Sequence, residues 1–329
     1  MAARDGARRA GGRKILLVGG SGRMGRLLAR AFRSAGHAVA IHDPGRRLPG
    51  FPSVPLETAA AADAVVVTVS LEATRDVLAE VLSLSPPGLV LDVASVKGPI
   101  LSIYARAARR GLSVASVHPM FGPGVRSLEG QNLIVCDAGA PAATRAASRL
   151  FSGHGLNLAT MPIGAHDPWV ARTLGLAHLL SLLAGSTLAR EGVKVKSLDG
   201  LASTSFRRLC ELAAPILHQA PDLTLPIQAQ NPATPALFRL LESELADWRA
   251  LVAANDLAAF ERKLAAARSV LAPPVSAEAA RRRRPRPPSR RAWGAPGRRR
   301  SPRPPAGSSR ADRGSPASPR PSRASRGRA

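Results

Sequence analysis

An α/β fold is predicted for this chain, a doubly wound parallel sheet followed by an all-helical region and a basic tail, and three observations predict it. Short β-branched runs alternate with helical stretches from residue 14, a glycine-rich turn joins the first run to the first helix, and after about residue 165 the β-branched runs stop. Strands alternating with helices return in the same direction, which gives a parallel sheet. Segments 15–18, 39–42, 64–69, 89–93, 114–117 and 133–136 read as strands, several of them unbroken apolar runs suited to burial on both faces. Segments 25–35, 71–82 and 99–109 carry helical spacing between them. The second half reads as helices at 169–190, 197–217, 235–253 and 257–271. The expected organisation is a disordered N-terminus over 1–12, a sheet domain over 13–165, a helical domain over 166–273, and a disordered Arg/Pro-rich tail over 274–329.

Composition sets the limits of this reading. The chain has 329 residues, 45% of them apolar, enough for a real core. Its net charge of +25 suggests an anionic polymer as partner, but residues 281–329 hold 17 Arg and one acid, Asp312, so +16 of the charge is in the tail and +9 in the rest. The tail has ten prolines and almost nothing apolar beyond Ala and Trp293, too little to offset the entropy of ordering. It carries no nucleic-acid-binding motif and no interleaved aromatics, so nucleic-acid binding through it is the disfavoured alternative. Cys136 and Cys210 are the only cysteines and each lies in an apolar stretch, which argues against a disulfide framework and a cysteine-ligated metal. No metal is expected. No run of about 18 uncharged apolar residues exists to span a bilayer, and the basic N-terminus runs straight into the first strand rather than into a signal-peptide core. A cytoplasmic protein is expected.

The first chemical motif is Gly20-Ser21-Gly22-Arg23-Met24-Gly25, between the first strand and the first helix. Gly20 is expected to permit a tight turn, Gly22 to let the backbone approach a pyrophosphate, and Gly25 to let helix and strand pack, with the helix N-terminus facing the phosphates. Asp43 ends the second strand, 23 residues after Gly20, where an acid bonds the adenosine ribose hydroxyls. This makes the sheet Rossmann-type and its expected cofactor NAD. Arg46 and Arg47 just beyond keep NADP as the less favoured choice, and a plain turn role before Pro44 is open for Asp43.

The second motif lies at the carboxyl ends of the fourth and fifth strands, where an open parallel sheet places cofactor and substrate. There, DVASVK carries Ser95 and HPMFGP carries His118. A histidine at that place can take the proton of a hydroxyl whose carbon loses hydride, since its ordinary pKa suits proton transfer near neutrality. Ser95 can hold the same hydroxyl. By position alone, a structural histidine before proline is as good a reading of His118.

The sequence resembles the prephenate dehydrogenases, in particular the bacterial branch in which that domain follows a chorismate mutase. The resemblance runs from about Lys14 to Leu271 through GGSGRMG, DVASVKGP, HPMFGPGVRSLEGQNLIVCD, AHDPWVARTLGLAHLL and the helical segments around SFRRL and NDLAAFERKL. No mutase domain is expected ahead of it, since 13 residues precede the first strand. The resemblance implies NAD-dependent oxidative decarboxylation of prephenate to 4-hydroxyphenylpyruvate in tyrosine biosynthesis, by a homodimer. It implies that His118 accepts the ring hydroxyl proton, that Ser95 bonds that hydroxyl, and that His166 and His178 lie around the substrate. Their spacing of 12 residues, about three helical turns, is compatible with a shared helix face; capping or core roles are the alternative.

A dicarboxylate substrate calls for arginine, whose fork matches a carboxylate. Arg207, after Phe206, matches a family arginine and is the candidate. Pro215 stands where the family carries the arginine that grips the ring carboxylate, and Thr224-Leu225-Pro226 where the family has an aromatic-x-acid pattern. Losing such a bond costs about 1.5–3 kcal/mol unless Arg208, Arg126 or a partner subunit supplies it. The departures point to a relaxed site or to a related substrate, arogenate or 4-amino-4-deoxyprephenate. A β-hydroxyacid or imine reductase shares the glycine opening and a helical second domain, but HPMFGP argues against it.

Overall fold

The computed structural model describes residues 12–198 and 200–271. The expectations for most of the N-terminal segment and for the tail, including its charge, lie outside these residues.

The first strand, β1 (Lys14–Val18), lies next to the edge and its neighbours run parallel to it: β2 (Ala38–His42) on one side and β3 (Ala64–Val67) on the other, followed by β4 (Leu89–Asp92) and β5 (Val114–Pro119). Side chains alternate along each strand and both faces are covered. Ile15, Leu17, Val66, Leu91 and Val117 pack under α1 (Arg23–Ser34) and α4 (Pro141–Ser152), while Leu16, Val18, Val65, Val67 and Val90 pack under α2 (Leu71–Ser83) and α3 (Leu101–Arg109). A strand buried on both sides has no polar alternate positions, which is why these strands read as unbroken apolar runs.

Beyond β5 the structure corrects the all-parallel expectation. β6 (Asn132–Asp137) pairs antiparallel with β5, and β7 (Asn157–Pro162) pairs parallel with β6, completing a seven-stranded sheet ordered β2-β1-β3-β4-β5-β6-β7. The reason is the connection: residues 120–131 hold no helix, and a parallel return needs a crossover. Three elements had no forecast. β7 is an edge strand with no buried position, α4 follows a glycine-rich turn, and α8 (Pro221–Ala229) carries prolines at its first position and inside it.

Helices make up the rest. α5 (Ile163–Val170) passes through a π turn (Ala171–Gly175) into α6 (Leu176–Arg190), and α7 (Thr204–Leu217), α9 (Thr234–Ala254) and α10 (Leu257–Val270) follow. The helix expected over 197–217 starts at Thr204, because the Ser203 hydroxyl accepts from Phe206 N at 3.1 Å and caps it there. Among the described residues, those up to Phe260 form one compact unit and those from Glu261 fall outside it. Among the described residues no helix is long and apolar enough to cross a membrane.

Candidate active site

The glycine turn forms directly off β1. The left-handed residue is Gly19 (φ +77°), not Gly20, so the tight turn falls one position earlier than the motif suggests. Gly20 instead packs against Leu17 and Ile41, and a Cβ on Gly25 would lie 2.6 Å from Gly20 Cα, which is the close helix approach the motif requires. α1 begins with Gly22 as a cap that brings no side-chain acceptor, and no acid lies in its first turn. Ser21 is buried with its hydroxyl unpartnered. Vacant donors at a helix start beside an orphaned hydroxyl fit a phosphate group. Arg23 is exposed on the first turn of α1 and Met24 packs into the core below. Asp43 accepts from Ser21 N through Oδ2 at 3.0 Å, so the acid after β2 is braced against the turn itself. Arg46 and Arg47 are exposed just beyond.

At the ends of β4 and β5 a buried polar network replaces the apolar core. Lys97, with no solvent exposure, donates to Asp92 Oδ1 (3.0 Å), Ala94 O (2.7 Å) and Val117 O (2.8 Å). Tyr104 Oη donates to Asp92 Oδ2 at 2.7 Å; burial first, and then the Asp92 charge, hold its phenol well above the ordinary value. All three of the ammonium's protons are taken, the condition under which a buried charge persists. The network staples the loop carrying Ser95 to the strand carrying His118. Ser95 is half-buried and its hydroxyl bonds nothing among the described residues.

The structure brings His118 and His166 together and adds a residue that the sequence reading passed over. His118 Nδ1 lies 3.0 Å from His166 Nε2, and His166 Nδ1 lies 2.7 Å from Asp167 Oδ1. Asp167 also accepts from Lys97 N (2.8 Å) and Gly98 N (2.7 Å), while Asn231 Nδ2 donates to its carbonyl at 3.1 Å. Burial pushes the Asp167 carboxyl up, but the bonds from His166 and the two backbone amides outweigh it and hold it below the usual range. An ionised Asp167 makes His166 Nδ1 the donor, His166 Nε2 the acceptor and His118 Nδ1 the next donor. His118 Nε2 is thereby left unprotonated. Burial, then the Lys97 charge and His166, lower the pKa of His118 well below 6.5, so the ring is neutral near pH 7. The arrangement leaves His118 Nε2 able to accept a proton.

The other expected site residues are placed differently. His178, on α6, is buried with Nδ1 unpartnered, and burial lowers its proton affinity. It is separated from His166 by the π turn. Arg207 is exposed on α7, and Pro215 is exposed on the same helix. Among the described residues no three His, Cys, Asp or Glu side chains gather as a metal site. Lys97 and Asp92 stand in the DVASVK stretch, where a charge inside otherwise apolar sequence was the signal that could have found them.

A glycine turn at a helix start and a histidine with an unprotonated nitrogen at the carboxyl edge of one Rossmann-type sheet form an arrangement suited to nucleotide-binding oxidoreductases. Residues 50–155 match the family of prephenate dehydrogenase nucleotide-binding domains, a segment that contains Ser95 and His118 and begins after the glycine turn. The match supports kinship of this part of the chain with the prephenate dehydrogenases. It is 28% identical to a T-protein of Enterobacter agglomerans over 75% of this chain and 65% of that one, so it spans less than two thirds of that relative. It is 29% identical to a 4-amino-4-deoxyprephenate dehydrogenase of Streptomyces pristinaespiralis over 78% of this chain and 91% of that one. Its fold is that of the prephenate dehydrogenase of A. aeolicus, solved with hydroxyphenyl propionate and NAD+ (TM-score 0.61, 17% identity, 79% of this chain and 98% of that one).

Proposed function

We propose that the protein is an NAD-dependent dehydrogenase that oxidatively decarboxylates prephenate to 4-hydroxyphenylpyruvate in tyrosine biosynthesis. The observation that carries this reading is the ordered chain Asp167–His166–His118, which leaves one vacant acceptor at His118 Nε2. Gly20 to Gly25 and Asp43 would hold NAD, which when bound supplies the two-electron oxidation. Ser95 positions the ring hydroxyl and His118 Nε2 takes its proton as the carbon becomes a carbonyl. The carbon–carbon bond to the ring carboxylate breaks, carbon dioxide leaves, and the electron pair enters the ring, which becomes aromatic. Proton uptake at Nε2 makes His118 an imidazolium, and the ionised Asp167 behind His166 offsets that charge through the hydrogen-bonded chain. Asp43 favours NAD over NADP. The helical segment 166–273 forms the substrate and dimerisation region behind the 13–165 nucleotide-binding domain, with His166, His178 and Arg207 around the substrate.

Pro215 and the exposed position of Arg207 favour a second reading within the same chemistry, in which the substrate is arogenate or 4-amino-4-deoxyprephenate. Initial rates of NAD reduction with prephenate, arogenate and the amino analogue side by side test both. Turnover of none would refute the assignment. A homodimer is proposed from the apolar side chains that α7 to α9 expose, among them Leu212 (52%), Leu225 (68%) and Leu245 (71%), more than a lone surface of this kind normally carries. Cytoplasmic placement rests on the two cysteines being free, Cys136 buried and Cys210 partly so.

A further inference from the structure

Two polar groups of the helical region are closed off from solvent and unpartnered. Gln228, on α8, has both amide atoms, Oε1 and Nε2, buried without a hydrogen bond, and His178 Nδ1 is in the same condition. Gly175, the last residue of the π turn, borders the first of them: a Cβ there would lie 3.8 Å from Gln228 Oε1 and 3.4 Å from Leu237 Cδ2, and His178 follows about one helical turn along the chain. Three residues beyond Gln228, Asn231 ties the end of α8 to Asp167, the acid that orders the catalytic histidines. The orphaned amide is thus anchored to the reacting centre.

A buried amide with nothing to bond is costly, and a bound group that completes it removes the cost. The vacancies are specific. The amide offers N–H donors at one end and an acceptor at the other, and rotating it by 180° exchanges the ends without changing that inventory. Neutral His178 adds one more place at Nδ1. A ligand group that fills these must present a donor and an acceptor side by side. An α-ammonium carboxylate does so, giving N–H to Oε1 and accepting from Nε2 and Nδ1. An α-keto carboxylate carries acceptors only and leaves Oε1 unpaired.

We propose that Gln228, together with His178, is a specificity-determining element that selects a substrate whose side chain ends as an α-amino acid over one that ends as an α-keto acid. The proposal rests on the dehydrogenase reading above and ranks arogenate ahead of prephenate within it. One buried acceptor left unpaired corresponds to about tenfold in affinity.

The test is kcat/KM for arogenate and for prephenate with NAD, in the wild type and in Gln228→Met, which keeps the length of the side chain and removes its hydrogen bonds. The expected result is a preference of about tenfold for arogenate in the wild type, a ratio near one in Gln228→Met, and a ligand-free Tm no lower than the wild type, since an unpaired amide has been removed. A wild-type preference for prephenate, or a ratio unchanged by the substitution, overturns the proposal while leaving the dehydrogenase reading intact. Turnover of neither substrate overturns that reading, and calorimetric titration with L-tyrosine and 4-hydroxyphenylpyruvate then decides the present one. Tighter tyrosine binding that Gln228→Met abolishes supports it, and equal or weaker tyrosine binding overturns it.

Discussion

The strand ends and the helical region treat buried polarity in opposite ways. Around Asp92, Lys97 and Tyr104 the charged and hydroxyl groups find partners within 3.0 Å, whereas Gln228 and His178 find none. The same contrast runs through the apolar residues: the sheet seals Leu17, Val66 and Leu91 completely, and α7 to α9 leave leucines in the open. The network around Lys97 is satisfied within the chain. Gln228 and His178 are not, and the proposed ligand and second subunit would complete the helical region.

The largest effect that would break this division is at the base. His118→Asn is expected to lower kcat by about two to four powers of ten while nucleotide affinity, measured by fluorescence titration, stays within about threefold, because the glycine turn holds the cofactor. Equal loss of both would show that His118 supports the fold rather than the proton transfer. Next comes the finished network. Lys97→Met leaves the Asp92 carboxylate buried and unpaired and is expected to cost about 3–5 kcal/mol in urea unfolding; the double variant Lys97→Met/Asp92→Asn should recover part of that, and no recovery would mean that the loss comes from packing.

Acid sharpens the comparison at intermediate scale. Burial lowers the proton affinity of His37, His118, His154, His166 and His178. The unfolded chain therefore binds more protons below about pH 6.5, and stability is expected to fall as pH drops through that value. Activity has the opposite tolerance: His118 stays neutral below 6.5, so the acid limb of kcat/KM should lie under the ordinary histidine value until unfolding intervenes. Parallel unfolding and rate profiles separate the two. The smallest effect concerns the open face. Leu212→Glu should alter monomer stability by no more than about 0.5 kcal/mol yet shift the light-scattering mass toward the monomer, and an unchanged mass would remove α7 from the subunit contact.

Legibility in the sequence followed the range of the interaction. β1 and β3 were legible because burial on both faces writes itself into consecutive residues, and the turn after β1 because its glycines answer to contacts a few positions away. Only the site of the left-handed residue slipped, from Gly20 to Gly19. β7 lacked a buried position to reveal it, and prolines in α8 argued against a helix that tertiary packing tolerates. Asp167 was invisible for a different reason: it bonds Lys97 N and Gly98 N about seventy residues away, and no local pattern encodes such a pairing.

The π turn at Ala171–Gly175 has a geometric consequence for the two histidines on either side of it. In a regular helix, residues 166 and 178 would point about 120° apart, since twelve steps of about 100° overshoot three full turns. A π turn holds one extra residue without advancing the helix, so the effective count is eleven and the divergence shrinks to about 20°. The π turn thereby absorbs one residue and keeps both rings on one side; deleting one residue from 171–175 would restore a regular helix with the same divergence of about 20°, whereas a regular helix that kept all twelve residues would swing His178 about 100° further round.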